Sequence, residues 1–250
     1  MKIKDTSWEG VAPWYNEHLK ESDTYQEKVI APNLVRFLAI KKGERVFDLG
    51  CGDGYFSRIF KKEGANVSGI DASKTLIDLA KKYDPKGNYV VKKAEDMLGV
   101  KEKYETVVSV LAFQNMKDGE KVFEVIKKHV VDGGRIVLVL NHPAFRVPKE
   151  SDWHFDVKSS RQGRVVYRYL SEISIPIVMN PGANKNKQQL TYSFQRPLQW
   201  YMKIASKNGF SMTRMEEWIS HKSSQKGPRQ KAEDIARKEI PLFMVLEFRK

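Results

Sequence analysis

Between Glu44 and Leu140 short apolar strands alternate with segments of helical periodicity, and this alternation limits the fold more than any other feature. Arg45–Leu49 (RVFDL) is an apolar run closed by glycines, Tyr55–Lys62 is helical in pattern, and Asn66–Ile70 (NVSGI) reads as a second strand. Ser73–Lys82 sets Leu76, Ile77, Leu79 and Ala80 at helical spacing, with Ser73 placed to cap the helix. Tyr89–Val91 and Thr106–Ala112 are a third and a fourth strand. A helix with the face Val122, Phe123, Val125, Ile126 and Val130 follows, broken by Gly133 and Gly134 before a fifth strand, Arg135–Leu140. Such regular alternation requires parallel strands joined by helical crossovers, so the expected class is α/β with a doubly wound sheet covered on both faces. The nearly uninterrupted apolar strands agree with burial on both sides.

The rhythm breaks after Leu140. Some 55 residues, 141–195, separate the fifth strand from the next clear helix, Pro197–Lys207, and so long a connection should carry structure of its own. Alternation at Val165/Tyr167/Tyr169, Ile173/Ile175/Ile177 and Leu190/Tyr192/Phe194 predicts antiparallel ribbons, with a turn at Pro181-Gly182-Ala183-Asn184. A short strand at Ser211–Met215, a second insertion over Trp218–Lys238 with a helix started by Pro228, and a closing strand Leu242–Phe248 complete the chain. Ser7–Leu38, rich in Trp and Tyr, predicts an N-terminal helical cap. The expected organisation is a cap at 1–40, a core at 41–140 and 196–250, and a β-rich insertion at 141–195 that serves as a lid, a substrate subdomain or a dimer contact.

The chemistry concentrates at Asp48-Leu49-Gly50-Cys51-Gly52-Asp53-Gly54. Three glycines between a strand and a helix let a ligand approach the backbone closely. A dinucleotide oxidoreductase would place its third glycine at position 55, which is Tyr55. Asp48, two residues before the first glycine, would repel a pyrophosphate and attract an ammonium group, which points to a cofactor carrying a cationic amino acid. Asp71 ends the second strand, where a carboxylate can accept both hydroxyls of a ribose. Ala94-Glu95-Asp96 can supply a contact to an adenine amino group, and the strand end Val110-Leu111-Ala112 can pack on the purine.

These segments, with Gly69-Ile70-Asp71-Ala72-Ser73 and Asp132-Gly133-Gly134-Arg135, resemble the successive motifs of class I S-adenosylmethionine-dependent methyltransferases. The likeness is strongest to the small-molecule type that includes the quinone-biosynthesis methyltransferases, and it covers residues 40–140. It implies a Rossmann-like, mostly parallel, seven-stranded sheet. It also implies S-adenosylmethionine as cofactor and S-adenosylhomocysteine as product; no cluster of acids at the carboxyl edge of these strands resembles the magnesium site of catechol-type enzymes, so no metal is expected. By this resemblance Gly50, Cys51, Gly52 and Gly54 hold the methionine moiety, Asp71, with Ala72 and Ser73, the ribose, and Glu95 or Asp96 the adenine edge.

Methyl transfer from a sulfonium needs an aligned acceptor and, for a hydroxyl or acidic carbon, a base. The acceptor belongs beyond the carboxyl ends of the strands. Asn141-His142-Pro143 leaves the fifth strand there, making His142 the first candidate base, with Tyr15 a second candidate that could close over the cofactor. Asn141, His142, Arg146, Trp153 and Tyr169 are the candidate acceptor contacts. After the fourth strand Ala112-Phe113-Gln114-Asn115 lacks the Asn/Asp-Pro-Pro-aromatic motif of enzymes that methylate adenine or glutamine amino groups. The aromatic insertion favours an enclosed small-molecule pocket.

Charge keeps a second reading open. Residues 151–250 carry 18 basic and 9 acidic side chains, against 26 and 22 in residues 1–150. An anionic acceptor fits this asymmetry, and so does an RNA methyltransferase that uses Arg161, Arg164, Arg168, Lys185, Lys187 and the 222–231 segment on phosphates. A non-catalytic cofactor-binding scaffold is a third reading. The longest wholly apolar stretches, such as Ile136–Leu140, are far shorter than a bilayer span, and no apolar signal core follows Met1. With one cysteine, the expected setting is the cytoplasm and the expected state a monomer or homodimer.

Overall fold

The structure is a computed structural model. It describes residues 8–9, 23–97, 102–178 and 190–250. Tyr15, Lys185, Lys187 and the turn at 181–184 lie outside the described residues.

The strands β1 (Arg45–Leu49), β2 (Asn66–Asp71), β3 (Asn88–Val91), β4 (Tyr104–Val110), β5 (Val130–Asn141), β10 (Ser211–Trp218) and β11 (Phe243–Arg249) form a seven-stranded sheet in the order β10-β11-β5-β4-β1-β2-β3. Pairings from β3 to β5 are parallel; β11 runs antiparallel to both β5 and β10. Side chains of β5 alternate between the two faces. Ile136, Leu138 and Leu140 join the core under α4 (Gly119–His129) and α5 (Leu198–Lys207), while Val137 and Val139 join the core under α1 (Ala31–Leu38) and α2 (Tyr55–Lys62). A strand buried on both faces has no polar side to spare, which is why its sequence reads as one apolar run.

The Ser73 cap is present: its Oγ accepts from the Leu76 N–H at 3.2 Å and begins α3 (Lys74–Tyr83). Several expectations need correction. β5 starts at Val130, five residues early, because Gly133–Gly134 lie within the strand beside a register shift against β4 instead of preceding it. Pro228 precedes the last helix, α6 (Gln230–Glu239), without starting it. The described part of the N-terminal segment, a π-helical turn Gln26–Ile30 running into α1, packs on the sheet face as one of its covering helices.

The insertion holds two separate ribbons. β6 (Ser151–Asp156) pairs with β7 (Arg161–Val166), and β8 (Ile173–Val178) pairs with β9 (Leu190–Gln195). The alternation at residues 173–177 and 190–194 thus belongs to one ribbon. Tyr167 and Tyr169 fall beyond the end of β7, and Trp153 and Phe155 lie on β6, a strand the sequence pattern did not reveal.

Candidate active site

After β1 the chain runs outward to β3 and then returns to β4, on the other side of β1, so adjacent strand ends diverge between β1 and β4. Such a switch point leaves a crevice at the carboxyl edge of the sheet. A cleft of about 390 Å3 lies there, lined by Gly50, Asp71, Ala72, Ala94, Glu95 and Asp96 from the expected set. Trp8, Ile70, Lys92, Lys93, Ala112 and the stretch Asn115–Asp118 with Lys121 complete the lining.

The glycine loop is shaped by close packing. Gly50 has φ +77°, and a Cβ there would stand 2.4 Å from the Ala112 Cβ, so the ends of β1 and β4 meet at a distance only glycine allows. Gly50 and Cys51 N–H both donate to the Ile70 carbonyl at 2.9 Å. Asp71 fastens the loop from the other side. Its Oδ2 accepts from the Gly52 N–H at 3.0 Å and its Oδ1 from the Ser73 N–H at 2.9 Å. Burial raises the Asp71 carboxyl and these two backbone donors oppose the rise. Each oxygen keeps a lone pair for a further donor.

Glu9 closes the rim beside it. Its carboxylate accepts from Ser73 Oγ at 2.6 Å, from Thr75 Oγ1 at 2.7 Å and from the Thr75 N–H at 3.1 Å, and these bonds lower its pKa. The carboxylate therefore sits at the N-terminus of α3, where the orphan N–H groups and the helix dipole favour an anion. Glu9 and Trp8 are contributions that the motif pattern did not indicate.

Other residues lie elsewhere than expected. Asp48 is 1% exposed, beneath the loop, and accepts from Ser57 Oγ at 2.6 Å. Burial pushes its carboxyl up to about 7, against the lowering effect of the Ser57 bond. Cys51 is buried against Gly69 and Tyr89, and burial raises its thiol well above the usual range, which makes it a packing residue. Val110 and Leu111 do not line the cleft. Leu111 adopts φ +54°, which turns its side chain onto the α1/α2 core, so Ala112 alone of the three forms the wall.

The acceptor candidates divide. His142 is buried beyond the end of β5, stacked on Phe145 at 4.5 Å. Its Nδ1 faces the N–H groups of Ala144 and Phe145 at 3.2 and 3.3 Å and must accept from them, so Nε2 carries the proton and donates to Glu217 at 2.7 Å. Burial lowers its pKa, and the Glu217 contact opposes this. With both nitrogens engaged and no place on the cleft lining, His142 is held as a turn-forming residue rather than poised as a base. Tyr169 Oη accepts the Leu198 N–H at 2.9 Å and so satisfies the start of α5. Trp153 lies on β6 under the Arg164 guanidinium, 4.9 Å from it. Neither reaches the cleft.

Asn141 and Arg146 do come together, with Gln114, Ser193, Gln195 and Arg196 around a small cavity of about 40 Å3. Gln114 Oε1 accepts the Asn141 N–H at 2.8 Å and joins the turn after β4 to the end of β5. Gln114 and Asn115 are neighbours on that turn, one lining this cavity and the other the large cleft.

Comparison with known proteins agrees with this architecture. A family model described as a methyltransferase domain matches residues 22–172, more than half of the chain. A ubiquinone biosynthesis O-methyltransferase of Coxiella burnetii is 27% identical over 99 residues, and the match spans 38% of this chain and 42% of that relative. Less than half of the relative's length is therefore represented. Among solved structures, an S-adenosylmethionine-dependent methyltransferase from Mesorhizobium loti superposes with a TM-score of 0.70 at 23% identity, covering 91% of this chain and 100% of the other. One from Listeria monocytogenes, described in the same terms, gives 0.65 at 21% identity, covering 88% and 97%. The fold, the order of the motifs along it and the family match lead to one conclusion: the chain belongs to the methyltransferase domain family.

Proposed function

We propose that the chain transfers a methyl group from S-adenosylmethionine to a small organic acceptor. The observation that carries this reading is the cleft at the β1/β4 switch point. Its rim joins a glycine loop too tightly packed for any Cβ at position 50 to three carboxylates, Asp71, Glu95 and Asp96. This donor set fits the cofactor: Asp71 retains a free lone pair on each oxygen for a vicinal diol, and Glu95 or Asp96 can accept from an exocyclic amine. The loop 50–54 would hold the amino-acid portion, with Asp48 beneath it as the buried acid. The tight turn over Ala112 supports that use.

When bound, the cofactor would supply an electrophilic methyl group on a sulfonium, open to in-line attack at its carbon with the neutral thioether as leaving group. The chain's part is to hold the donor, align the acceptor at the ends of β4 and β5, and keep water away. The described cleft lining carries no histidine. No helix among the described residues is long and apolar enough to cross a membrane.

The test is transfer of labelled methyl from S-adenosylmethionine into a cell extract separated into metabolite and nucleic-acid fractions. Label in the metabolites is the expected result. Label in RNA would replace the proposal with the nucleic-acid reading, and calorimetry showing no S-adenosylhomocysteine binding would remove both.

A further inference from the structure

Several exposed arginines of this protein are paired with acids. Arg36 meets Glu216, Arg45 meets Glu105 and Arg168 meets Glu150, all with more than 45% of the arginine side chain exposed. Arg196 is buried and Arg146 half-buried; both line the small cavity beyond β5 and meet no carboxylate at ion-pair distance among the described residues. Arg196 is 4% exposed. Its Nη2 donates to the carbonyls of Met116 and Lys117 at 2.7 and 2.8 Å, its plane lies near Phe194 and Trp200, and its buried Nη1 has no partner. Glu172 and Asp118 attract it only from beyond contact. Arg146 rests on the rings of Phe243 and Tyr25 at 4.6 and 5.2 Å, and its buried Nη1 is likewise unpartnered.

A cation withdrawn from water without a counter-ion is costly, and two on one cavity are costlier still. The remaining polar lining, Gln114, Asn141, Ser193, Gln195 and the Tyr201 hydroxyl, is neutral, so the described residues supply no anion there. The volume, about 40 Å3, suits a single planar group, and the guanidinium fork matches a carboxylate in shape. The position matters as well. Arg196 holds the carbonyls of two residues that line the cofactor cleft, and Gln114 shares its turn with a third.

We propose that this cavity is the anchoring subsite for the acceptor: the methylated small molecule carries a carboxylate, which Arg146 and Arg196 bind while its reacting end points past the Phe113–Asn115 turn toward the cleft. The inference rests on the methyltransferase reading and narrows it to a class of acids. It makes Arg146 and Arg196 specificity-determining residues. Fragments of an acceptor with the acid group kept should bind, and neutral isosteres should not.

The experiment is calorimetry on the full chain saturated with S-adenosylhomocysteine, using benzoate, its neutral isostere benzamide, and phenyl phosphate. Benzoate is expected to bind at least ten-fold more tightly than benzamide. Arg146→Gln should weaken benzoate at least ten-fold while S-adenosylhomocysteine affinity stays within two-fold, and Arg146→Lys should recover part of the loss. Equal binding of benzoate and benzamide, binding of neither, or tighter binding of phenyl phosphate would overturn the proposal on the unaltered protein, without reliance on any variant. Benzoate affinity unchanged in Arg146→Gln would also overturn it. Failure of S-adenosylhomocysteine itself to bind would strike the methyltransferase reading instead, so the two failures are told apart.

Discussion

At the end of β1 the polar groups marked by the sequence are gathered around open space, whereas past β5 most of those marked are bonded into the chain itself. Asp71, Glu95 and Asp96 line a cleft of about 390 Å3. His142 and Tyr169, by contrast, spend their hydrogen bonds on a turn and a helix start. The difference follows from what each region must solve. The core obtains most of its backbone hydrogen bonds from the sheet, so a strand-end side chain such as Asp71, though it holds the Gly52 and Ser73 N–H groups, keeps acceptor capacity for a ligand. A long excursion has many unpaired backbone groups, and side chains are recruited to satisfy them. Substitutions of cleft-lining side chains in the first region should therefore alter ligand affinity, those in the second should alter stability, and the buried Asp48 beneath the loop should make stability depend on pH.

Asp48 gives the largest expected effect. Its folded pKa of about 7 lies above the unfolded value near 4, so the folded state binds the proton more tightly. Its contribution is fully present below the unfolded pKa and is lost as pH rises toward 7. The loss is roughly 1.4 kcal/mol per pH unit, about 4 kcal/mol in all. Urea unfolding of the wild type and Asp48→Asn between pH 5 and 8 should show a falling limb in the former that is absent in the latter. Parallel curves would mean that Asp48 is not the titrating group.

Asp71→Ala comes next. Losing two charge-assisted bonds to a ribose should cost roughly 2–4 kcal/mol, a ~30- to 1000-fold loss of S-adenosylmethionine affinity by calorimetry. Trp153→Ala, on the ribbon, should leave that affinity within about two-fold. If both variants weakened binding alike, the division between the two regions would fail.

His142→Ala should destabilise by about 1–3 kcal/mol, since it strands two part-buried backbone donors and removes the Glu217 contact. Methyl transfer by the folded variant should persist. Abolished turnover with unchanged stability would restore His142 as a base. The smallest effect belongs to Tyr169→Phe: about 1 kcal/mol in thermal unfolding, from the single acceptor lost at the start of α5.

Much of the fold is legible in the sequence because periodicity reports burial directly. The parallel strands, the Ser73 cap and the β8/β9 ribbon are written locally in residue spacing. What escapes is set by single residues or by distance along the chain. Leu111 belongs to an apolar strand end, yet one positive φ sends its side chain to the opposite face. Gly133 and Gly134 have the composition of a helix stop and lie inside a strand. β6 is hidden because its alternate residues, Asp152, His154 and Asp156, are exposed on a two-stranded ribbon without a core-facing apolar stripe. Arg196 stands 50 residues from Arg146, and no local pattern announces that the two line one cavity. Burial of Asp48 is likewise a property of the closed loop, since its spacing from Gly50 is the same whether the side chain points up or down.

The contact between Gly50 and Ala112 also bears on how this scaffold tolerates change. The two positions are far apart in sequence and share one small volume, where a Cβ at 50 would stand 2.4 Å from that of Ala112. A larger residue at 112 is thus tolerable only while 50 stays bare. Even Ala112→Gly would relieve the clash of a side chain at 50 without relieving its left-handed backbone. Drift at this seam runs in one direction: residue 112 can shrink at little steric cost, but residue 50 has nowhere to go.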